Sequence, residues 1–265
     1  MRGTMPWDEG TGGGTGRGPG DRPDGPPPGR EQLRALRQAW LAQLSIPRLR
    51  RERAARSGLD EMLDLAYTFE HRGVSLAPFQ RRGEVRDLLR LVERERPASV
   101  LEIGTANGGT LFLLARCASD DAHLISVDLG GGPFGGGYPL WRAPLYRSFA
   151  GPGQRVSLLR ADSHLPGTVR RVRGLLAGRG LDLLFIDGDH SYAGVSRDFE
   201  LYAPLVRDGG IIALHDIVPG EERSVGGVPR FWTELREGRP HEEFVEDWGQ
   251  GGFGIGALRA GRFLP

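Results

Sequence analysis

The sequence predicts an α/β protein: a doubly wound, mainly parallel sheet with an antiparallel pair at its C-terminal edge and a helical extension at its N-terminus. Three observations point there. After Pro97, short apolar runs alternate with helical patterns, which implies parallel strands joined by crossover helices and covered on both faces. The first run ends in a glycine-rich turn, Gly104 to Gly109. Later runs end in polar groups, Asp128, Asp187 and His215-Asp216, where such sheets bind ligands.

Along the chain, residues 1–30 are dominated by Gly and Pro and carry few apolar side chains, so they are expected to form a disordered tail. Residues 31–96 form the helical extension. From Glu31 to about Arg56, Leu33, Leu36, Trp40, Leu41 and Leu44 recur at helical spacing, and Pro47 is expected to interrupt the pattern. The many arginines of this stretch make either a solvated face or a surface for an anionic partner. Two more helices fit Leu59–Phe69 and Arg82–Glu95, the second with Val85, Leu88, Leu89 and Val92 on one face.

Residues 97–265 form the sheet domain. Strands fit Ser99–Ile103, His123–Val127, Val156–Arg160, Leu181–Ile186 and Gly210–Leu214. Helices fit Thr110–Ala118, Leu165–Ala177 and Tyr192–Leu205, with a last one near Arg230–Glu237. Phe244–Asp247 and Phe253–Leu258 supply the antiparallel edge pair, and Trp248–Phe253 reads as the turn between them. The glycine-rich excursion from Leu129 to Arg155 is long for a connection in a compact domain. It is either a lid hinged at Gly130–Gly132 and Gly135–Gly137, or a loop that Trp141 and Tyr146 pack down, with Phe134, Tyr138, Arg142 and Arg147 alongside.

Composition narrows the chemistry. The chain has 265 residues, 38% hydrophobic and 26% charged, enough for a sizeable core. No apolar run is long enough for a membrane span, and no secretory h-region follows Met1, so a membrane partner is not expected. A single cysteine, Cys117, rules out an internal disulfide or thiolate cluster and fits a reducing cytoplasm. A net charge of +1 gives no reason to expect a nucleic-acid partner. Every one of the 35 basic residues is arginine, which removes a lysine base, Schiff base or P-loop lysine.

The turn Glu102-Ile-Gly104-Thr105-Ala-Asn-Gly108-Gly109-Thr110 can bring backbone close to a ligand at a helix N-terminus. Asp128 then stands where a carboxylate can accept from a ribose diol. The glycine spacing departs from the dinucleotide pattern, and an acid at 102 would repel a pyrophosphate while suiting a cationic ligand. Asp162 and Ser163 stand where an adenine amino group can sit, and can also cap the helix that follows. At the later strand ends, Asp187, His215 and Asp216 can share one small volume and suit a divalent cation such as Mg²⁺ or Mn²⁺. His190 is placed to accept a proton, or merely closes its turn; Asp189 reads as the N-cap of the next helix; Asp216 can instead bind a backbone amide.

Glu102–Thr110 resembles the first motif of class I S-adenosylmethionine-dependent methyltransferases. Leu183–Tyr192, with Asp187-Gly-Asp189-His190, and then Leu205–Asp216 resemble the group containing macrocin and rhamnosyl O-methyltransferases and proteins labelled cephalosporin hydroxylases. The resemblance covers residues 75–258. It implies a Rossmann-like fold and O-methyl transfer to a hydroxylated small molecule such as a sugar or other natural product. It also implies a divalent metal and assembly into homo-oligomers, for which residues 31–70 are the expected interface. Carried over residue by residue, Gln80, Glu102, Gly104, Thr105, Gly108, Asp128, Asp162, Ser163 and Asp187 are expected to hold S-adenosylmethionine. Asp187, His215 and Asp216 are expected to hold the metal, with His190 as the base where similar catechol-type enzymes use lysine. His215 departs from the group, which carries a carboxylate there; it ligates, lines the pocket, or shifts metal preference toward softer ions. Two other readings compete: an iron-dependent hydroxylase using His190, His215 and a carboxylate, and a non-catalytic nucleoside-binding module that docks a partner.

Overall fold

The apolar runs after Pro97 form parallel strands because their side chains are buried on both faces. The computed structural model describes residues 29–131 and 137–261. The expected tail through residue 28, and Phe134 with its flanking glycines, lie outside the described residues.

Helix α1 (Arg30–Ala54) is followed by α2 (Leu59–Thr68) and a two-residue hairpin, β1 (Glu70–His71) and β2 (Val74–Ser75). Then come α3 (Arg82–Glu95), β3 (Ser99–Ile103), α4 (Gly109–Cys117), β4 (His123–Asp128), α5 (Ala143–Arg147), β5 (Arg155–Arg160) and α6 (Pro166–Leu176). The chain continues through β6 (Leu181–Ile186), α7 (Tyr192–Tyr202), β7 (Val206–His215), α8 (Glu222–Val225), α9 (Val228–Arg236), β8 (His241–Phe244) and β9 (Ile255–Arg259).

The sheet order is β5-β4-β3-β6-β7-β9-β8. The first five strands are parallel, and β9 runs antiparallel to both β7 and β8. Chain order reverses between β3 and β6, so their C-terminal ends open a crevice at the switch point. Alternation divides the strands' side chains between two hydrophobic layers. Val100, Leu124 and Leu183 join α2 to α5 on one face, while Leu101, Ile125 and Leu184 join α6, α7 and α9 on the other.

Pro47 does not break α1, contrary to the sequence expectation. The proline leaves the Gln43 carbonyl without its intrahelical donor. The helix nonetheless continues because Ala42, Ser45 and Leu49 are buried against the body, and the Ser45 hydroxyl donates to the Leu41 carbonyl at 2.9 Å. Toward its N-terminus the same helix leaves Leu33, Leu36 and Trp40 exposed.

The described part of the Leu129–Arg155 excursion is a buttress. Tyr138, Tyr146 and Phe149 are buried; Tyr138 meets Tyr146 edge to face, and Tyr146 stacks on Phe149. The Tyr146 hydroxyl donates to the Ala106 carbonyl at 2.6 Å, and Arg142 donates to the Ser75 and Asn107 carbonyls. The aromatic side chains of this stretch therefore support the glycine turn from beneath. No helix among the described residues is long and apolar enough to cross a membrane.

Candidate active site

A cavity of about 670 Å³ lies over the C-terminal ends of the parallel strands. Its wall at the glycine turn depends on one close approach. Gly104 has φ +88°, and a Cβ there would fall 1.8 Å from the Asp187 carbonyl oxygen. Only glycine lets the ends of β3 and β6 meet this tightly. Gly108 also has positive φ, but its missing side chain makes room for the Tyr146 ring rather than for the cavity.

Asp128 is buried at the end of β4. Its Oδ2 accepts the amides of Thr105 and Ala106 at 3.1 and 3.0 Å, which ties the acid to the glycine turn. Burial raises its carboxyl above the usual range, and these backbone donors offset part of that rise. The Thr105 hydroxyl pairs with Ser126.

Glu102 does not reach the cavity. Alternation along β3 places it on the face of Val100, under the helical layer, with no exposure and with no hydrogen-bond partner for either oxygen among the described residues. Burial holds its carboxyl well above the ordinary range, and the nearby charges of Asp128 and Asp187 add to this. The favourable field for a cation comes instead from Asp128, Asp162, Asp187, Asp189 and Asp216, all of which line the cavity.

Asp162 and Ser163 line the cavity just past β5. The Asp162 side chain accepts the His164 amide at 2.8 Å and so closes its own turn, while the N-cap of α6 is Leu165, without a side-chain bond. Asp189 likewise accepts the Ser191 amide, and the N-cap of α7 is Ser191, whose hydroxyl accepts from the Gly194 amide at 3.0 Å.

Asp187 is the hub of the remaining polar groups. Gln80 Nε2 donates to its Oδ2 at 2.5 Å, and Thr110 donates to Gln80 Oε1 at 3.0 Å. His215 Nδ1 donates to Asp187 Oδ1 at 3.1 Å, and His190 Nε2 lies 3.5 Å from the same oxygen. His190 Nδ1 donates to the Ser224 carbonyl at 2.6 Å and stands 3.2 Å from Asp216 Oδ2. Asp216, at φ +64°, also accepts the Phe253 amide at 3.1 Å. Burial alone would raise Asp187, but the two imidazoles outweigh it and hold the carboxyl far below its usual range. The carboxylates in turn outweigh burial at both histidines, lifting His190 to about 9 and His215 to about 10.

The ligand atoms that lie within 4.8 Å of one another belong to Asp187, His190 and Asp216. His190 thus stands where sequence reasoning placed His215. His215 also lines the cavity, its Nδ1 3.1 Å from Asp187 Oδ1 and 3.4 Å from Asp216 Oδ2, and its Nε2 is buried without a hydrogen-bond partner among the described residues. Two carboxylates and an imidazole are a donor set that fits Mn²⁺ or Mg²⁺. Sequence reasoning treated the Trp248–Phe253 turn as structural, yet Gly251, Gly252 and Phe253 line the cavity. Buried Glu84 draws that turn in, accepting from Gln250 Nε2 at 2.6 Å and from the Gly254 amide at 2.8 Å. Nothing local in the sequence links positions 84 and 254.

This sheet order and cavity define the fold of class I S-adenosylmethionine-dependent methyltransferases. Residues 101–217 match the family described as "Methyltransferase domain". Among solved structures it is similar to the O-methyltransferase from Bacillus cereus in complex with SAH, with 20% identity, a TM-score of 0.53, and coverage of 76% of this chain and 90% of that one. It is also similar to an O-methyltransferase from Streptomyces achromogenes involved in tomaymycin synthesis, in complex with SAM. There the identity is 19%, the TM-score 0.50, and the coverage 78% and 92%. Among curated proteins it is 29% identical over 165 residues to an uncharacterized protein of Sinorhizobium fredii, covering 61% of this chain. A shorter match, 54% over 37 residues and 14% of this chain, is to an uncharacterized protein of Acanthamoeba polyphaga mimivirus. Each match spans 17% of the curated relative's length.

Proposed function

We propose that the protein is an S-adenosylmethionine-dependent O-methyltransferase acting on a hydroxyl of a sugar or other natural-product scaffold, with a divalent metal and His190 as general base. One observation carries this reading. A single cavity holds both a nucleoside-type anchor, Asp128 tied to the Thr105 and Ala106 amides, and a carboxylate–imidazole cluster at Asp187, His190 and Asp216. Neither a hydroxylase nor a docking module needs the two together.

S-adenosylmethionine supplies a sulfonium-activated methyl, which passes to the attacking oxygen as the carbon–sulfur bond breaks and its electron pair stays on sulfur. The work left to the protein is orientation and proton removal. Asp128 and Asp162 would hold the nucleoside; Gln80, locked between Thr110 and Asp187, would hold the wall near the amino-acid end. Asp187 and Asp216 would hold the metal, which would lower the pKa of a coordinated acceptor hydroxyl. His190 donates through Nδ1 to Ser224, and a metal bound by Asp187 and Asp216 would neutralise the carboxylates that keep the ring protonated, which would free Nε2 to take the hydroxyl proton.

A second reading is favoured by the 4.8 Å grouping: His190 completes the metal shell with Asp187 and Asp216, and His215 orients the carboxylates. Calorimetric titration with S-adenosylhomocysteine, with EDTA and then with Mg²⁺ or Mn²⁺, tests both parts. Micromolar binding supports the methyltransferase, and a metal response supports the cluster. No binding under any condition overturns the assignment. His190→Ala separates the two roles: unchanged metal binding with lost turnover marks a base, and lost metal binding marks a ligand.

A further inference from the structure

His164 follows Asp162-Ser163 directly, is partly buried and lines the cavity. Its Nε2 lies 3.4 Å from Oδ1 of Asp198 on α7. Asp198 is 0% exposed, and neither of its oxygens has a hydrogen-bond partner among the described residues. A buried carboxylate is costly unless a cation stands beside it, and the His164 imidazole is so placed. The turn that carries it is fixed from both sides. Thr168 Oγ1 donates to the Asp162 carbonyl at 2.7 Å, and the Tyr202 hydroxyl donates to the Ser163 carbonyl at 2.7 Å. His164 Nδ1 is 4.0 Å from Asp162 Oδ1, too far for a hydrogen bond, and both residues line the cavity, which leaves that nitrogen available to a ligand beside Asp162.

We propose that His164, held by Asp198, is a specificity residue that donates a hydrogen bond from Nδ1 to the adenine ring of the cofactor. This deepens the methyltransferase reading and rests on it. The ion pair raises the imidazole's pKa, with Asp162 and Asp189 adding to the effect, which keeps the ring a donor. An adenine ring offers an unprotonated N1 acceptor; hypoxanthine carries a proton there and cannot accept the bond. The base would then be read by a carboxylate at its amino group and an imidazole at its ring nitrogen. Neither glycine turn nor metal cluster takes part.

The test compares binding of S-adenosylhomocysteine and S-inosylhomocysteine to the full chain by calorimetry. The wild type is expected to favour the adenine form at least about tenfold, the equivalent of roughly 1.4 kcal/mol. His164→Ala is expected to lower S-adenosylhomocysteine affinity about tenfold and to narrow the preference over S-inosylhomocysteine by a similar factor, leaving only the part that Asp162 supplies at the amino group. Should the lone buried Asp198 keep that variant from folding, the double variant His164→Ala with Asp198→Asn removes the uncompensated charge and is expected to show the same loss. A folded variant that keeps wild-type affinity and selectivity overturns the proposal while leaving the methyltransferase reading intact. A wild type that binds neither ligand overturns that reading, and this assignment with it.

Discussion

Gly104 and Asp187 touch so closely that no side chain fits between them: a Cβ on residue 104 would lie 1.8 Å from the Asp187 carbonyl oxygen. That contact brings the turn after β3 against the end of β6, and with it the Asp128 wall against the carboxylate–imidazole cluster.

Gly104→Ala therefore has two penalties, a left-handed backbone and a main-chain clash. We expect it to destabilise the fold by roughly 3 kcal/mol or more and to abolish S-adenosylhomocysteine binding. Urea denaturation gives the first and calorimetry the second. A wild-type midpoint would mean that the turn relaxes away from Asp187.

His190→Ala is expected to reduce turnover about 10²- to 10⁴-fold while leaving S-adenosylhomocysteine affinity within about twofold. Single-turnover assays with any accepted hydroxyl measure the first. Full turnover in the variant would remove His190 from the reaction.

Asp187→Asn leaves His190 and His215 without their shared anion and removes a candidate metal ligand. Mn²⁺ affinity, read by calorimetry, should fall at least about 100-fold. Asp216→Asn should act in the same direction. Equal affinity across wild type and both variants would place any metal elsewhere.

Glu84→Ala strips the Gln250 side chain and the Gly254 amide of their acceptor beneath the 250–254 turn. A loss of about 2 to 4 kcal/mol is expected, because buried donors are left unpaired. Proteolysis should then cut first within residues 246–254. A variant as stable and as protease-resistant as the wild type would show that the turn is held by other contacts.

The His164–Asp198 pair makes stability depend on pH. His164 has a raised folded-state pKa, so the unfolded chain binds fewer protons than the folded one between the two values. Its contribution is fully present below the ordinary imidazole value of about 6.5 and is lost as pH rises through the folded value. Denaturation midpoints of wild type and Asp198→Asn should therefore differ most near pH 5.5 and converge by pH 9. A gap that widens with pH would contradict the pairing.

Much of this was legible in the chain. The apolar runs and helical periods specify β3 to β7 and their crossovers within a residue or two, apart from β7, which begins four residues early at Val206, and α7, which ends three residues early at Tyr202. They do so because burial on both faces demands continuous apolar sequence. Local chemistry also marked Asp128, Asp187, His190 and Asp216, since polar groups just past apolar runs must emerge at the strand ends.

What the sequence by itself determined was the class of fold and the edge of the sheet on which the polar groups gather. Tertiary structure alone decided which of those groups meet. It turned Glu102 into the core through strand alternation and carried α1 through Pro47 by packing. It set His190 rather than His215 in the group of mutually close ligand atoms, and brought His164 to Asp198 and Glu84 to Gly254. The physical reason is separation along the chain. Periodicity and capping act over a few residues, whereas these partners lie far apart in sequence and find each other only when the two hydrophobic layers close on the sheet.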